Sequence, residues 1–389
     1  MIKKDILGII AEYDPFHNGH NAHMKKARLA VHPDTVYTVL SPCIKQRGTL
    51  SMFSPLDRAA CAIRAGSDAV FMLPVLWTVR DADHYAFGAV YLMQQLGVTH
   101  LAFGAECPDS ALLSEIAALL ENPSALFNQE LKAQLGRGKG YPFSVSLAAE
   151  KCIPGSSVIL SRPNNILAVC YFRALRRLQS SIIPVVIPRT GDDHDLMLNP
   201  VSPSASSLRG YLQRGAYLQA EMSMPPFTLP IIRKSLIDGR VPDPNIWNAM
   251  LSSRLRTADT SHLPDLSEGI ENRIAKVLSS TCSPSDMISR ISGRRYSAAR
   301  ISRLFAMLML DVDQQRISSL KPPDNTLLLG LRRKSALTER WRDLSVRISK
   351  SPAEWRTYAA REDIVAWRLW SAACGLPDSF PYSERIYTE

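Results

Sequence analysis

Apolar positions along the chain fall into short runs that alternate with stretches of helical spacing. The runs are residues 6–11 (ILGIIA), 35–40 (TVYTVL), 69–73 (AVFML), 100–103 and 182–187. The continuous run 6–11 marks a strand buried on both faces, and the other runs read as strands, 182–187 broken only by Pro184. Between them, helical spacing begins near Asn21 and again at Ser54-Pro55, where serine suits the cap and proline the first turn. It continues over 84–96, 110–120, 125–135 and from Pro163 to about Leu178. Strands alternating with helices predict an α/β fold, an N-terminal doubly wound parallel sheet with ligands beyond the carboxyl ends of its strands. Past about residue 215 the strand pattern ends. Pro225, Pro226, Pro230, Pro242, Pro244 and Pro264 punctuate a linker-like stretch, and from residue 267 the periodicity is helical. The expected division is 1–215, a nucleotide-binding domain, and 216–389, a mainly helical region.

A chain of 389 residues, 46% apolar and 21% charged, has ample material for globular cores. No run approaches the roughly 18 apolar residues of a membrane span, and MIKKD leads directly into the first strand without a secretory signal. A cytoplasmic protein without membrane partners is expected. Seven cysteines without a C-x-x-C pair read as reduced thiols. The net charge of +10 is concentrated: from Met287 to Lys350 there are 14 Lys and Arg against 5 Asp and Glu. Arg294, Arg295, Arg300, Arg303, Arg332, Arg333 and Lys334 belong to this segment, which suits a polyanion.

The candidate chemistry sits where the first strand meets the first helix. Asp14-Pro15 stops the strand, and His17-Asn18-Gly19-His20 precedes the helical stretch. A helix N-terminus offers unpaired N–H groups to an anion, Gly19 admits close approach, and His17 and His20 add ring donors for a polyphosphate. A metal pair would instead favour an i, i+4 spacing and a third ligand, which does not follow. Gly104 and Arg189 lie at other strand ends on the same rim. Ser204-Ala205-Ser206-Ser207-Leu208-Arg209 places hydroxyls at a helix start, with Arg209 able to neutralise charge on a leaving group. The glycine-rich GRGKG at 136–140 lacks phosphate-loop spacing and reads as a turn.

The H-x-G-H motif after a first strand resembles the nucleotidylyltransferase superfamily, with its HUP/Rossmann-like fold. Across nearly the whole chain the sequence resembles one family, the bacterial tRNA(Met) cytidine acetate ligases. The resemblance rests on GIIAEYDPFHNGH, QRG at 46–48, LAFGAE at 101–106, RPNNIL at 162–167, PRTGDDHD at 188–195, SASSLR, EGIENRI at 268–274 and RRYSAARI at 294–301. It implies activation of acetate by ATP to acetyl-AMP, then acetyl transfer to N4 of the wobble cytidine of elongator tRNA(Met). It further implies catalytic roles for His17, His20 and Arg209. Nucleotide contacts are implied at Ile10, Ala11, Glu12, Tyr13, Phe16, Asn18, Gly19, His23, Gly104, Asn164, Asn165, Arg189, Ser204 and Ser206, with no protein metal site and Mg2+ carried on ATP. Two positions depart from the family pattern. Asp14 replaces an asparagine, and the loop Ser41-Pro42-Cys43-Ile44-Lys45 stands where the family has S-G-N-F-V. Two other classes fit part of the chain: a small-molecule adenylyltransferase, and an RNA-binding protein with a vestigial nucleotide site. Cys43, beside Lys45 and Arg47, is the one thiol placed to act as an acetyl acceptor; Cys61, Cys152 and Cys170 read as core.

Overall fold

The six-residue run Ile6–Ala11 forms β1, which pairs in parallel with a strand on each side. In this computed structural model, residues 4–189, 204–266, 269–281, 283–293, 296–332, 341 and 344–389 are described. The strands are β1, β2 (Thr35–Leu40), β3 (Ala69–Met72), β4 (His100–Ala105), β5 (Ile183–Pro188), β6 (Asn325–Leu331), β7 (Arg347–Ser349) and β8 (Tyr387–Thr388). Their order is β5-β4-β1-β2-β3-β6-β7, with β8 also on β6. The five N-terminal strands are all parallel, in doubly wound order, and the chain direction across the sheet reverses between β1 and β4. A crevice opens at such a switch point.

Alternation along each strand feeds two cores. Tyr37, Val39 and Phe71 face one core with the helices Ala82–Gln95 and Pro163–Arg177, whereas Leu7, Ile9, Val36 and Leu40 face the other with Met24, Ala27 and Ala59. Helices thus cover both faces. The helix Pro55–Ala65 starts on a Ser54 cap with proline in its first turn, as the sequence predicts. The GRGKG segment is a turn: Gly136 ends the helix Ala125–Gly136, Gly138 has φ +72°, and Gly140 precedes the helix Tyr141–Cys152.

The expectation that strands cease near residue 215 is corrected. The second half is mainly helical, but β6 returns to the sheet antiparallel to β3 and carries β7 and β8. β3 is wholly buried, so its open edge needs a partner, and the apolar NTLLLGL supplies one. Arg332, at the end of β6, is bound into this junction: Nη2 donates to the Ile63 carbonyl at 2.8 Å, and Nη1 lies 3.6 Å from Asp68. It is a structural cation as well as part of the basic segment. Arg294, Arg295, Arg333 and Lys334 lie outside the described residues. Among the described residues, no helix is long and apolar enough to cross a membrane.

Candidate active site

A cleft of about 1010 Å³ opens at the carboxyl ends of β1, β4 and β5. Its lining includes Ile10, Ala11, Glu12, Tyr13, His17, Gly19, His20, His23, Gly104, Asn164 and Arg189, drawn together from five separate stretches of sequence. Lys26, Leu167 and Tyr171 complete the wall and were not anticipated.

The helix begins at Asn18, three residues earlier than expected, and this makes His17 its cap. The Gly19 N–H donates to His17 Nδ1 at 3.1 Å, and the His17 N–H donates to His20 Nδ1 at 3.3 Å. This is a capping box built from two histidines rather than from hydroxyl and carboxylate. The consequence is chemical. Each Nδ1 accepts a backbone N–H, so each neutral ring carries its proton on Nε2. The rings stack with centroids 3.6 Å apart, an arrangement that disfavours two positive charges. Burial, together with Arg189 and Arg209, depresses the His17 pKa to about 3. Burial, His17, Arg189 and His23 hold His20 well below its ordinary value, and burial with Arg189 and Lys26 holds His23 at about 4. At neutral pH the pair presents Nε2–H donors, not cations.

Two other polar atoms at the cleft are buried without a hydrogen-bond partner among the described residues: Tyr13 Oη and His23 Nε2. Tyr13 also has φ +50°, a left-handed conformation costly for a residue with a Cβ. Across the cleft, Gly104 lets the Arg189 stem cross the end of β4, since a Cβ there would meet Arg189 Cγ at 2.9 Å. Glu106 orders the start of the helix Pro163–Arg177: it accepts from Asn164 Nδ2 at 2.7 Å and from the Asn165 N–H at 3.0 Å. Asn165 Oδ1 in turn accepts the Cys107 N–H. Glu106 therefore positions Asn164, a role its place in LAFGAE did not disclose.

The remaining expected contacts lie off the cleft. Phe16 is buried behind His20, with ring centroids 5.6 Å apart. The Asn18 N–H donates to the Ser223 carbonyl at 2.9 Å. Ser204 caps the helix Ala205–Gln213, and Ser206 Oγ accepts from Arg209 Nη2. Arg209 Nη1 donates to the Asp14 carbonyl at 2.6 Å, and its charge reaches His17. The segment after Arg189, including 190–195 and 201–203, lies outside the described residues.

The two departures from the family pattern are one feature. Lys45 Nζ donates to Asp14 Oδ2 at 2.7 Å, and the two side chains are 4% and 1% exposed. The Asp14 carboxylate also accepts the Met52 and Phe53 N–H groups. Burial alone would raise its pKa; Lys45, Arg209 and Arg58 outweigh it and hold Asp14 at about 2. The Asp14 charge is thus neutralised by its neighbours. Arg58, which the sequence did not mark, is buried and donates to the carbonyls of Glu12, Ser41, Pro42 and Phe53, locking the loops behind the cleft. Cys43 is fully buried, and burial pushes its thiol well above the ordinary range despite Arg58. A nucleophile needs the thiolate, and the buried Cys43 is not set up as one.

A stability prediction follows from the depressed histidines. Below the unfolded imidazole pKa of about 6.5 the unfolded chain binds more protons than the fold, so stability rises with pH there. The histidine contribution is complete above about 6.5 and is lost as pH falls toward 4 for His23 and 3 for His17. Asp363, raised by burial to about 7 while accepting the Val75 N–H, acts in the opposite sense over this range. Thermal melts should lose stability from neutral pH to about pH 5, and His20→Gln should flatten the slope. An unchanged slope in the variant contradicts neutral buried rings.

Comparison with known proteins places these features in context. The family model described as HIGH Nucleotidyl Transferase matches residues 4–365. A tRNA(Met) cytidine acetate ligase of Thermoanaerobacter sp. (strain X514) is 32% identical over 335 residues, covering 85% of this chain and 84% of that protein. One from Clostridium kluyveri is 33% identical over 324 residues, 78% of each chain. The apo crystal structure of Thermotoga maritima TmcAL superposes with a TM-score of 0.92 at 25% identity, covering 99% of both chains.

Proposed function

The chain belongs to the tRNA(Met) cytidine acetate ligases of the HIGH nucleotidyl transferase family, and from that premise we propose that it activates acetate with ATP and acetylates the wobble cytidine of elongator tRNA(Met). The observation that carries the reading is the stacked His17–His20 pair, two neutral Nε2–H donors at a helix N-terminus facing Arg189 and Asn164 across the switch-point cleft. This is a site for a triphosphate.

In the first half-reaction an acetate oxygen attacks the α-phosphorus, the O–P bond forms, and the bond to pyrophosphate breaks. Histidine Nε2–H groups and the Arg189 charge stabilise the negative charge that gathers on the phosphate oxygens. In the second, N4 of cytidine attacks the acetyl carbonyl carbon, the C–O bond to AMP breaks, and N4 loses a proton. Tyr13 Oη and His23 Nε2 are further ligand contacts, which explains their burial without partners among the described residues. Magnesium would arrive on the triphosphate. Among the described residues no group of three or more His, Cys, Asp or Glu is placed to hold an ion, and Mg2+ readily keeps substrate phosphates as ligands. Residues 216–389, with their basic surplus, hold the RNA, in a cytoplasmic setting.

The reaction passes through free acetyl-AMP with no acyl-enzyme. Protein, ATP and labelled acetate without RNA should yield acetyl-AMP and pyrophosphate, with no label on acid-precipitated protein. Cys43→Ser should keep adenylation near wild type, because its thiol is neutral and buried. Covalent label that chases onto RNA and vanishes in the Cys43 variant contradicts this.

A further inference from the structure

A second cavity of about 1040 Å³ lies beside the cleft, between the loop at Lys45–Ser51 and the helices Ala205–Gln213, Pro244–Thr257, Pro284–Ile291 and Ala298–Leu310. The Tyr13–Asp14 segment touches both. Tyr13 lines the cleft, while Lys45 and Arg209, which line the second cavity, both bond to Asp14. We propose that this second cavity is the acceptor pocket, taking the pyrimidine ring of a cytidine splayed out of single-stranded RNA.

Its inner end is built for hydrogen-bond acceptors. Ser51 Oγ is fully buried and has no partner among the described residues. Lys45, 4% exposed, has three N–H donors, and Asp14 Oδ2 occupies one. Its side walls are apolar and aromatic, including Trp247, Phe305 and Leu251, with the Asn248 amide beside them. A flat ring between aromatic walls, facing donors, is the way single-stranded bases are read. The cavity is far larger than acetate requires.

The donor pattern selects the base. The O2 and N3 atoms of cytosine are both acceptors and match Ser51 and Lys45, which leaves the amine next to N3 facing the Tyr13–Asp14 segment and the activated acetate beyond it. Uracil carries a proton on N3, and an ammonium has no lone pair to accept it, so uracil leaves buried donors opposed. A site built on such hydrogen bonds rejects the wrong partner more strongly than an apolar pocket does.

This inference rests on the ligase reading, and binding and transfer separate the two. An anticodon-arm hairpin of elongator tRNA(Met) with wobble cytidine, and the same hairpin with uridine, serve as probes of the full chain. Wild type should bind the cytidine hairpin more tightly. Ser51→Ala and Trp247→Ala should each lower kcat/KM for acetyl transfer at least about tenfold and reduce the cytidine preference. Acetyl-AMP formation without RNA should stay near wild type in both, which also reports an intact fold. Wild-type kcat/KM in the variants, or equal wild-type binding of the two hairpins, overturns the pocket. So does a rise in KM for ATP in the variants, which would put adenine there. A wild type that discriminates the hairpins but never acetylates either overturns the ligase reading and leaves the pocket standing.

Discussion

Replacing both His17 and His20 with alanine is expected to slow acetyl-AMP formation about a hundredfold. In the proposed reaction each imidazole contributes one Nε2–H donor to a charged phosphate oxygen, and such bonds are worth about 1.5–3 kcal/mol each. Two at the lower figure give about 3 kcal/mol, or roughly two decades in rate. His17→Ala also removes the cap of the helix Asn18–Val31, at about 1 kcal/mol of stability. His17→Asn keeps a side-chain oxygen for the cap and so separates the two effects. It should restore the melting temperature without restoring the rate. Steady-state assays of acetyl-AMP at saturating ATP decide the matter, and a double variant within a fewfold of wild type removes the histidines from the chemistry.

The second large effect is on stability. Lys45→Met should destabilise the protein by about 3 kcal/mol, because it strands a buried carboxylate. That is the low end for a broken buried pair, since Arg58 and Arg209 still act on Asp14. Adding Asp14→Asn should recover most of the loss: the amide oxygen keeps the Met52 and Phe53 N–H groups and brings no charge. Asp14 also sets an acid limit. Its folded pKa is depressed, so its stabilisation is complete above the unfolded value of 3.8 and is lost as pH falls through about 2. Urea unfolding of the single and double variants measures the pair. Full additivity, with no rescue by Asp14→Asn, contradicts the coupling.

The five parallel strands were legible because each is rich in apolar residues, and the central β2 and β3 are buried along their whole length. β6 was not, although NTLLLGL is equally apolar. Its partner β3 lies some 250 residues earlier, and a helical context surrounds it, so no local period announces the pairing. The histidine motif disclosed the site but not its protonation, which depends on which nitrogen the backbone occupies. Asp14 read from sequence as an unfavourable charge near phosphates. Its partner is 31 residues away, and only the fold reveals that the two departures cancel. Arg58 carries no signal at all, since an arginine in a helix is ordinarily solvated.

On the proposed function, this protein acetylates a specific cytidine through acetyl-AMP. Mass spectrometry of nucleosides from bulk tRNA, incubated with the protein, ATP and labelled acetate, tests it most directly. Labelled N4-acetylcytidine at the wobble position of elongator tRNA(Met) is expected, with AMP and pyrophosphate released. Acetyl-AMP accumulating with no label on RNA, or label on a different nucleoside, would contradict it.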